Sequence, residues 1–70
     1  MEYIAIETEF IKLQQFLKFA NAVSQGSDAK YFIQEGKVKV NGEICLQRGK
    51  KIHEGDTVEF DGKVYTAVKV

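Results

Sequence analysis

The first half of the chain has apolar residues at helical spacing. A short apolar run at positions 3–6 predicts an opening strand. Apolar side chains then recur every three or four residues, which is typical of an amphipathic helix. These residues are Phe10, Leu13, Phe16, Leu17 and Ala20. Thr8 is the predicted N-cap, so we expect the helix to run over 10–20.

A second helix is predicted after the polar stretch 24–26. Ser27 is its expected N-cap, and Gly36 fits the left-handed position just past a helix end. The apolar face consists of Ala29, Phe32 and Ile33. Gly26, Ser27 and the helix N-terminus together suggest an anion site beside Lys30.

After Gly36 the apolar residues alternate at a period of two, which indicates strands. The run 37–40 is followed by Asn41-Gly42, the preferred dipeptide of a type I′ hairpin turn. A return strand is expected over 43–46, a polar basic loop over 47–51 and a turn over 53–56. Strands over 57–60 and 63–68 enclose a second hairpin turn at Asp61-Gly62. The predicted fold class is α+β, with two helices packed on a small antiparallel sheet of about four to five strands.

Size and composition limit the chain to one small domain, residues 1–70. The hydrophobic fraction is 44% and the charged fraction 29%, as in ordinary folded domains. With Cys45 as the single cysteine, the core must hold without an internal disulfide. The opening residues lack a signal-peptide pattern, and no apolar run approaches a membrane span. We therefore expect a cytoplasmic protein with no membrane partner.

Few residues suit catalysis or metal binding. A zinc site needs three or four ligands, whereas the chain has one histidine, His53, and one cysteine, Cys45. We expect His53 to be exposed in a turn and Cys45 to be half-buried in a strand. To act as a pair of catalytic carboxylates, Glu54 and Asp56 would need to lie in a cleft, and a domain of this size has little room for one. We expect no enzyme activity, metal, cofactor or small-molecule substrate.

The net charge is zero, but the middle segment of the chain is basic. Residues 12–51 carry eight basic and three acidic side chains, and both flanks are acidic. Lys37 and Lys39 would project from one face of a strand about 6.6 Å apart, and Arg48, Lys50 and Lys51 lie on the basic loop. Each group alone is also typical of ordinary solvated surface. Together they form an anion-binding face only if they meet on one side of the molecule.

Three segments, 12–17, 29–42 and 55–58, resemble the S-four RNA-binding domain, also called the alpha-L motif. The similarity covers roughly residues 11–62, and its most specific part runs from the second helix through Asn41-Gly42. The chain is similar to the standalone bacterial YaaA/YbcJ-like members. Departures are Lys12-Leu13-Gln14, where the family usually has Arg-Leu-Asp, and Gln25-Gly26, where it often has Ser-Arg. Loss of that arginine removes a bidentate phosphate contact.

The resemblance implies a non-catalytic, ribosome-associated role in translation, with structured ribosomal or transfer RNA, or a ribosomal particle, as partner. The resemblance also implies that eight residues of this chain contact RNA. They are Lys12, Ser27, Lys30, Lys37, Lys39, Arg48, Lys50 and Lys51. Since base edges of A-form RNA are hidden, we expect binding through backbone phosphates with low sequence specificity. The aromatic residues Phe10, Phe16, Phe32 and Phe60 are expected in the core, and Tyr31 on the helix surface.

The alternative is a protein-interaction module with an S-four-like or ubiquitin-like fold. Val40-Asn41-Gly42-Glu43 and the segment 54–58 have counterparts in ubiquitin-like sulfur carriers. Such carriers need a C-terminal Gly-Gly, whereas this sequence ends Val68-Lys69-Val70. A cationic patch can also attract an acidic protein surface, so this alternative stays open from the sequence.

Overall fold

The computed structural model describes residues 2–70; Met1 of the predicted domain lies outside them. Two helices and seven strands follow one another along the chain. They are β1 (Glu2–Ile6), β2 (Phe10–Lys12), α1 (Leu13–Phe19), α2 (Gly26–Gln34), β3 (Val38–Val40), β4 (Glu43–Ile44), β5 (Lys51–His53), β6 (Thr57–Phe60) and β7 (Lys63–Lys69). Neither helix has the length and apolarity needed to cross a membrane.

The strands form two sheets. Five of them are arranged in the order β1-β7-β6-β3-β4, while β2 and β5 form a separate two-stranded ribbon. The predicted α+β class with two helices and a five-stranded sheet is confirmed. The main sheet is mixed rather than wholly antiparallel, because β1 runs parallel to β7 in the register Glu2↔Tyr65 to Ile6↔Lys69. That pairing joins the two ends of the described chain, so no local pattern predicts its direction.

Tight turns set the register of the hairpins. Asn41 and Gly42 have φ angles of +52° and +85°, as a type I′ turn requires, and Asp61 and Gly62 follow the same pattern at +54° and +77°. Both predicted hairpin turns are therefore confirmed. Strand β3 pairs with β4 on one side and with β6 on the other.

Both helices contribute to one core together with the inward faces of the strands. The largest fully buried side chains come from both helices and from several strands. They are Phe16, Ile6, Leu13, Leu17, Ile33, Ile52, Val38 and Val58. Phe32 and Phe60 pack against this core with ring centroids 5.0 Å apart, which fixes α2 on the sheet. The core prediction for Phe16 is confirmed, whereas Phe32 and Phe60 are half-buried and pack against the edge of the core.

The first helix begins three residues later than predicted. Phe10–Lys12 pairs with Lys51–His53 as strand β2, and Lys12 occupies the N-cap position of α1. Thr8 is not the cap, because its hydroxyl donates to the carbonyl of Phe10 at 2.6 Å. The prediction was wrong because the strand that pairs with β2 lies about 40 residues further along the chain. The spacing of nearby apolar residues does not reveal so distant a partner.

The second helix begins at Gly26, so Ser27 lies inside its first turn and is not the N-cap. Gln25 is the N-cap residue, and its carbonyl accepts the N–H groups of Asp28 and Ala29 at 3.1 and 3.3 Å. Gly36 follows the helix with φ +76°, as predicted.

The return strand is shorter than the predicted 43–46. Strand β4 ends at Ile44, although the N–H of Cys45 still donates to the carbonyl of Val38 at 3.0 Å. Lys51, predicted to lie in the basic loop, is the first residue of β5. The predicted turn over 53–56 is present, with Gly55 at φ +89°.

Candidate nucleic-acid interface

The basic loop is tied to the beginning of α1 by backbone hydrogen bonds. The N–H of Leu13 donates to the carbonyl of Lys50 at 2.8 Å, and the N–H of Gln14 donates to the carbonyl of Arg48 at 3.1 Å. The loop thereby satisfies two first-turn N–H groups that a helix leaves without an internal partner. This anchoring places Arg48 and Lys50 beside Lys12.

The two-stranded ribbon adds a fourth cation. Lys12 and Lys51 are opposite one another in the antiparallel register, so their side chains project from the same face. Their Cα atoms are therefore about 4.5–5.5 Å apart. Lys12, Arg48, Lys50 and Lys51 are all exposed, and we call these four residues the basic cluster.

Among the described residues 2–70, no carboxylate forms an ion pair with the basic cluster. Within residues 2–70, the ion pairs are Glu9–Lys69 at 2.7 Å and the contact of His53 Nδ1 with Asp56 at 3.8 Å. Neither includes a cation of the cluster. Lys51 Nζ instead lies over the ring of Phe10, 4.9 Å from its centroid. The four cations are therefore exposed and take part in neither of these ion pairs.

The other predicted contact residues lie on different elements. Lys30 is exposed on α2, and Lys37 follows Gly36 and lines a groove with Asp61. Lys39 lies on β3 opposite Glu59, whose carboxylate belongs to the same face of the sheet. The hydrogen bonds and strand pairing that assemble the basic cluster do not extend to these lysines.

Ser27 lies on the first turn of α2, where the predicted anion site is partly occupied. The N–H of Asp28, one of the groups that a helix start leaves free, already bonds to the carbonyl of Gln25. Asp28 adds a carboxylate there, and Ser24 donates to it at 3.3 Å. A second anion would be repelled by that carboxylate.

A surface groove of about 560 Å³ lies between the β3–β4 hairpin and the basic loop. Lys50 lines it, together with Ile44 and Leu46, which are each 60% exposed. Cys45 is half-buried here, as predicted, and its thiol lies 3.6 Å from the carbonyl of Gln47. Polar side chains line the same groove, among them the Glu43 carboxylate, so Lys50 borders a mixed surface.

Phe10 is the functional candidate that the sequence reasoning missed. It was expected in the core, but it is only half-buried and lies opposite His53 in the ribbon. The sequence does contain a pattern that indicates this arrangement. In both Phe10-Ile11-Lys12 and Lys51-Ile52-His53, strand alternation directs the central isoleucine to one face and its two neighbours to the other. His53 is exposed, as predicted, with 55% of its side chain accessible.

The Asn41-Gly42 and Gly55-Asp56 motifs meet in space. The Asn41 amide nitrogen donates to Asp56 Oδ1 at 3.2 Å, and the N–H of Thr57 donates to Asn41 Oδ1 at 3.0 Å. Asp56 Oδ2 also accepts the N–H of His53 at 2.7 Å. These motif residues therefore hold turns together. Across residues 2–70, no group of three or more His, Cys, Asp or Glu side chains is placed to hold a metal ion.

Comparison with known proteins gives consistent matches. The family model described as "S4 domain" matches residues 4–68. "Probable ribosome maturation protein RlbA" of Bacillus subtilis is 48% identical over 59 residues, which are 84% of this chain and 83% of that protein. The solution structure of YbcJ from Escherichia coli, described as having an alpha-L motif involved in RNA binding, superimposes with a TM-score of 0.75. It is 32% identical, over 97% of this chain and 87% of YbcJ.

Similar sequences also occur as part of larger proteins. An uncharacterised RNA pseudouridine synthase of Aquifex aeolicus is 43% identical over 54 residues, which are 76% of this chain but 21% of that enzyme. The match to the synthase therefore covers a small portion of it. The family model spans nearly the whole chain, and RlbA and YbcJ match over most of their own lengths, so the chain belongs to the S4 domain family.

Proposed function

We propose that this chain is a non-catalytic, cytoplasmic RNA-binding protein that holds structured ribosomal or transfer RNA by its backbone phosphates. The observation that carries the proposal is the basic cluster, in which Lys12, Arg48, Lys50 and Lys51 converge without a carboxylate partner. A phosphate backbone is the polyanion that such a group of cations fits best.

The chemistry of the cluster suits phosphate rather than base edges. The Arg48 guanidinium can donate two parallel hydrogen bonds to one phosphate, while each lysine acts as a point charge. The basic loop is held by backbone hydrogen bonds to α1, so these side chains start from a fixed frame. In A-form RNA the phosphates and 2′-hydroxyls are the accessible groups, which agrees with recognition by shape.

The relatives support the choice of RNA. The description of YbcJ mentions an RNA-binding motif, and the name of RlbA mentions ribosome maturation. Both cover most of this chain, so the comparison involves the whole fold and not a fragment. Ribosomal RNA is accordingly the first RNA to test. We propose that Lys30, Lys37 and Lys39 extend the contact surface around the basic cluster, and that Ser27 adds a hydroxyl hydrogen bond there despite the repulsion from the neighbouring Asp28 carboxylate.

Crosslinking in cells tests the proposal. The wild type is crosslinked to RNA and compared with the triple variant Arg48→Ala, Lys50→Ala and Lys51→Ala. These substitutions leave the loop carbonyls that bond to α1 in place, so the fold is retained. We expect RNA recovery to fall at least tenfold, because each lost phosphate contact weakens binding to all sequences. Sequencing of the recovered RNA identifies the class.

A charge-matched control separates a local contact from a general loss of charge. The variant Lys18→Ala, Lys63→Ala and Lys69→Ala also removes three cations, but none belongs to the basic cluster. It should retain most of the RNA recovery. Equal recovery from the wild type and the loop variant would reject the basic loop as the contact surface.

A further inference from the structure

The outward side of the two-stranded ribbon carries two aromatic rings and two cations. In its antiparallel register Phe10 is opposite His53 and Lys12 is opposite Lys51, so these four side chains share one face. We call them the ribbon face. The alternate residues point the other way, and Ile52 is fully buried. One face of the ribbon therefore packs on the core through Ile52. The opposite face, the ribbon face, carries aromatic and cationic side chains.

The two rings of the ribbon face lie close together. The centroids of Phe10 and His53 are 5.7 Å apart with an interplanar angle of 49°, and Lys51 Nζ lies 4.9 Å from the Phe10 centroid. Both rings retain exposure, and Phe10 is not a member of the hydrophobic core. Since core packing does not account for these rings, their position on the surface calls for another role.

A groove of about 430 Å³ adjoins the ribbon face and shares Phe10 with it. Phe19, 66% exposed, contributes a further ring, and Gln15 and Thr8 contribute polar groups. Glu9 adds a carboxylate, whose charge is paired with Lys69. The volume lies at the small end of the range for small-molecule sites. A planar apolar ring with hydrogen-bonding edges fits this combination of aromatic walls and polar groups.

We infer that the ribbon face binds an unpaired nucleobase of the same RNA whose phosphates contact the basic cluster. Aromatic rings that stack bases, next to cations that hold the backbone, are the combination by which proteins bind single-stranded nucleic acid. Lys12 and Lys51 belong to both the ribbon face and the basic cluster, so a strand leaving a duplex at the cluster continues onto the rings. This inference rests on the proposed function and adds recognition of a duplex-to-single-strand junction to it.

Two RNA probes test the inference on the full chain. One is a blunt-ended RNA hairpin, and the other is the same hairpin with an unpaired three-nucleotide tail that contains 2-aminopurine. We expect the wild type to bind the tailed hairpin about 5- to 100-fold more tightly, because base–aromatic stacking provides roughly 1–3 kcal/mol per base. Stacking should also quench the 2-aminopurine emission.

The variants Phe10→Leu and His53→Ala should each lose the preference for the tail and the quenching. Their affinity for the blunt hairpin should stay within about twofold of wild type, since both variants keep the four cations of the basic cluster. Phe10→Leu also removes the ring beneath Lys51, whereas His53→Ala does not. His53 is exposed, so its variant folds even if Phe10→Leu does not. Tyr31→Leu, which removes an exposed ring on α2, is the matched control and should retain the preference.

The outcomes separate the two hypotheses. Equal affinity of the wild type for both hairpins, or a tail preference that survives both ribbon variants, overturns the inference and leaves phosphate binding intact. Failure of the wild type to bind either hairpin overturns the proposed function together with the inference.

Discussion

The Asn41 side chain connects the β3–β4 turn to the turn that precedes β6. Asn41 has a left-handed backbone conformation, φ +52°, and its side chain bonds to both Asp56 and Thr57. Its own N–H donates to the carbonyl of Thr57 at 2.9 Å. Asparagine suits this position because it tolerates positive φ better than other non-glycine residues and offers both a donor and an acceptor.

Substitution at Asn41 should therefore separate the backbone effect from the side-chain effect. Asn41→Ala should lower the free energy of unfolding by about 2 kcal/mol, because it loses the amide contacts and is strained at positive φ. Asn41→Gly relieves the strain and should cost about 1 kcal/mol. Urea unfolding of the three proteins checks this order. If the Asn41→Ala variant were as stable as the wild type, the Asn41 side-chain hydrogen bonds would not contribute to stability.

Glu9 and Lys69 form an exposed ion pair in which each partner shifts the pKa of the other. A hydrogen bond from the Lys69 ammonium to the Glu9 carboxylate, 2.7 Å long, lowers the pKa of Glu9 below its ordinary value of 4.5. The same hydrogen bond raises the pKa of Lys69 above 10.5. The stabilisation is thus complete between pH 4.5 and 10.5. It is lost as pH falls through the lowered pKa of Glu9 or rises through the raised pKa of Lys69.

Removing the lysine should restore the ordinary titration of Glu9. In Lys69→Gln the carboxyl midpoint, followed by NMR, should move up toward 4.5, whereas Lys63→Gln should leave it in place. Because both partners are solvent-exposed, the effect on stability should be small and should shrink further at high salt. An unchanged Glu9 midpoint in Lys69→Gln would show that the pair does not persist in solution.

At the scale of elements, substitutions at two glycines test how much the turn conformation contributes to the stability of the β3–β4 hairpin. A Cβ added at Gly42 or at Gly49 meets open space, but Gly42 alone of the two has a positive φ, +85°. Gly42→Ala should therefore cost about 1–2 kcal/mol. Gly49→Ala should be neutral or stabilise by up to about 1 kcal/mol, since it restricts the unfolded chain. Equal costs in thermal unfolding would contradict a role for the turn conformation.

Local signals in the sequence predicted most elements, and distant pairing accounts for the rest. The Asn41-Gly42 turn and the end of α2 at Gly36 depend on the residues themselves, so they could be predicted. Strand β2 looked helical because its partner, Lys51–His53, is remote in the sequence. The parallel pairing of β1 with β7 has the same cause.

The candidate site was predictable in composition but not in assembly. Runs of lysine and arginine identified the basic loop, because charges are visible residue by residue. Which cations meet depends on the hydrogen bonds from Leu13 and Gln14 to the loop carbonyls, and a single sequence does not reveal such contacts. For the same reason Phe10 was expected in the core.

At the scale of the whole molecule, charge is segregated even though the net charge is zero. The basic cluster occupies one end of α1 and the ribbon, while Lys69, near the end of the chain, is neutralised by Glu9. A neutral protein with such a patch attracts polyanions locally without a strong overall field. Its RNA affinity should therefore depend on a few cations and on the salt concentration.

The most direct test of this account is the salt dependence of binding to a structured RNA hairpin. The four phosphate contacts of the basic cluster contribute a slope of about −3 to −4 in log K against log salt, from roughly 0.7–0.9 per contact, and any contact by the surrounding lysines makes it steeper. Lys12→Ala with Lys50→Ala should make the slope shallower by about 1.4–1.8, again from the value per contact. Lys18→Ala with Lys63→Ala, which removes the same charge elsewhere, should leave it unchanged. A wild-type slope near zero, or equal slopes in both double variants, would contradict phosphate binding by the basic cluster.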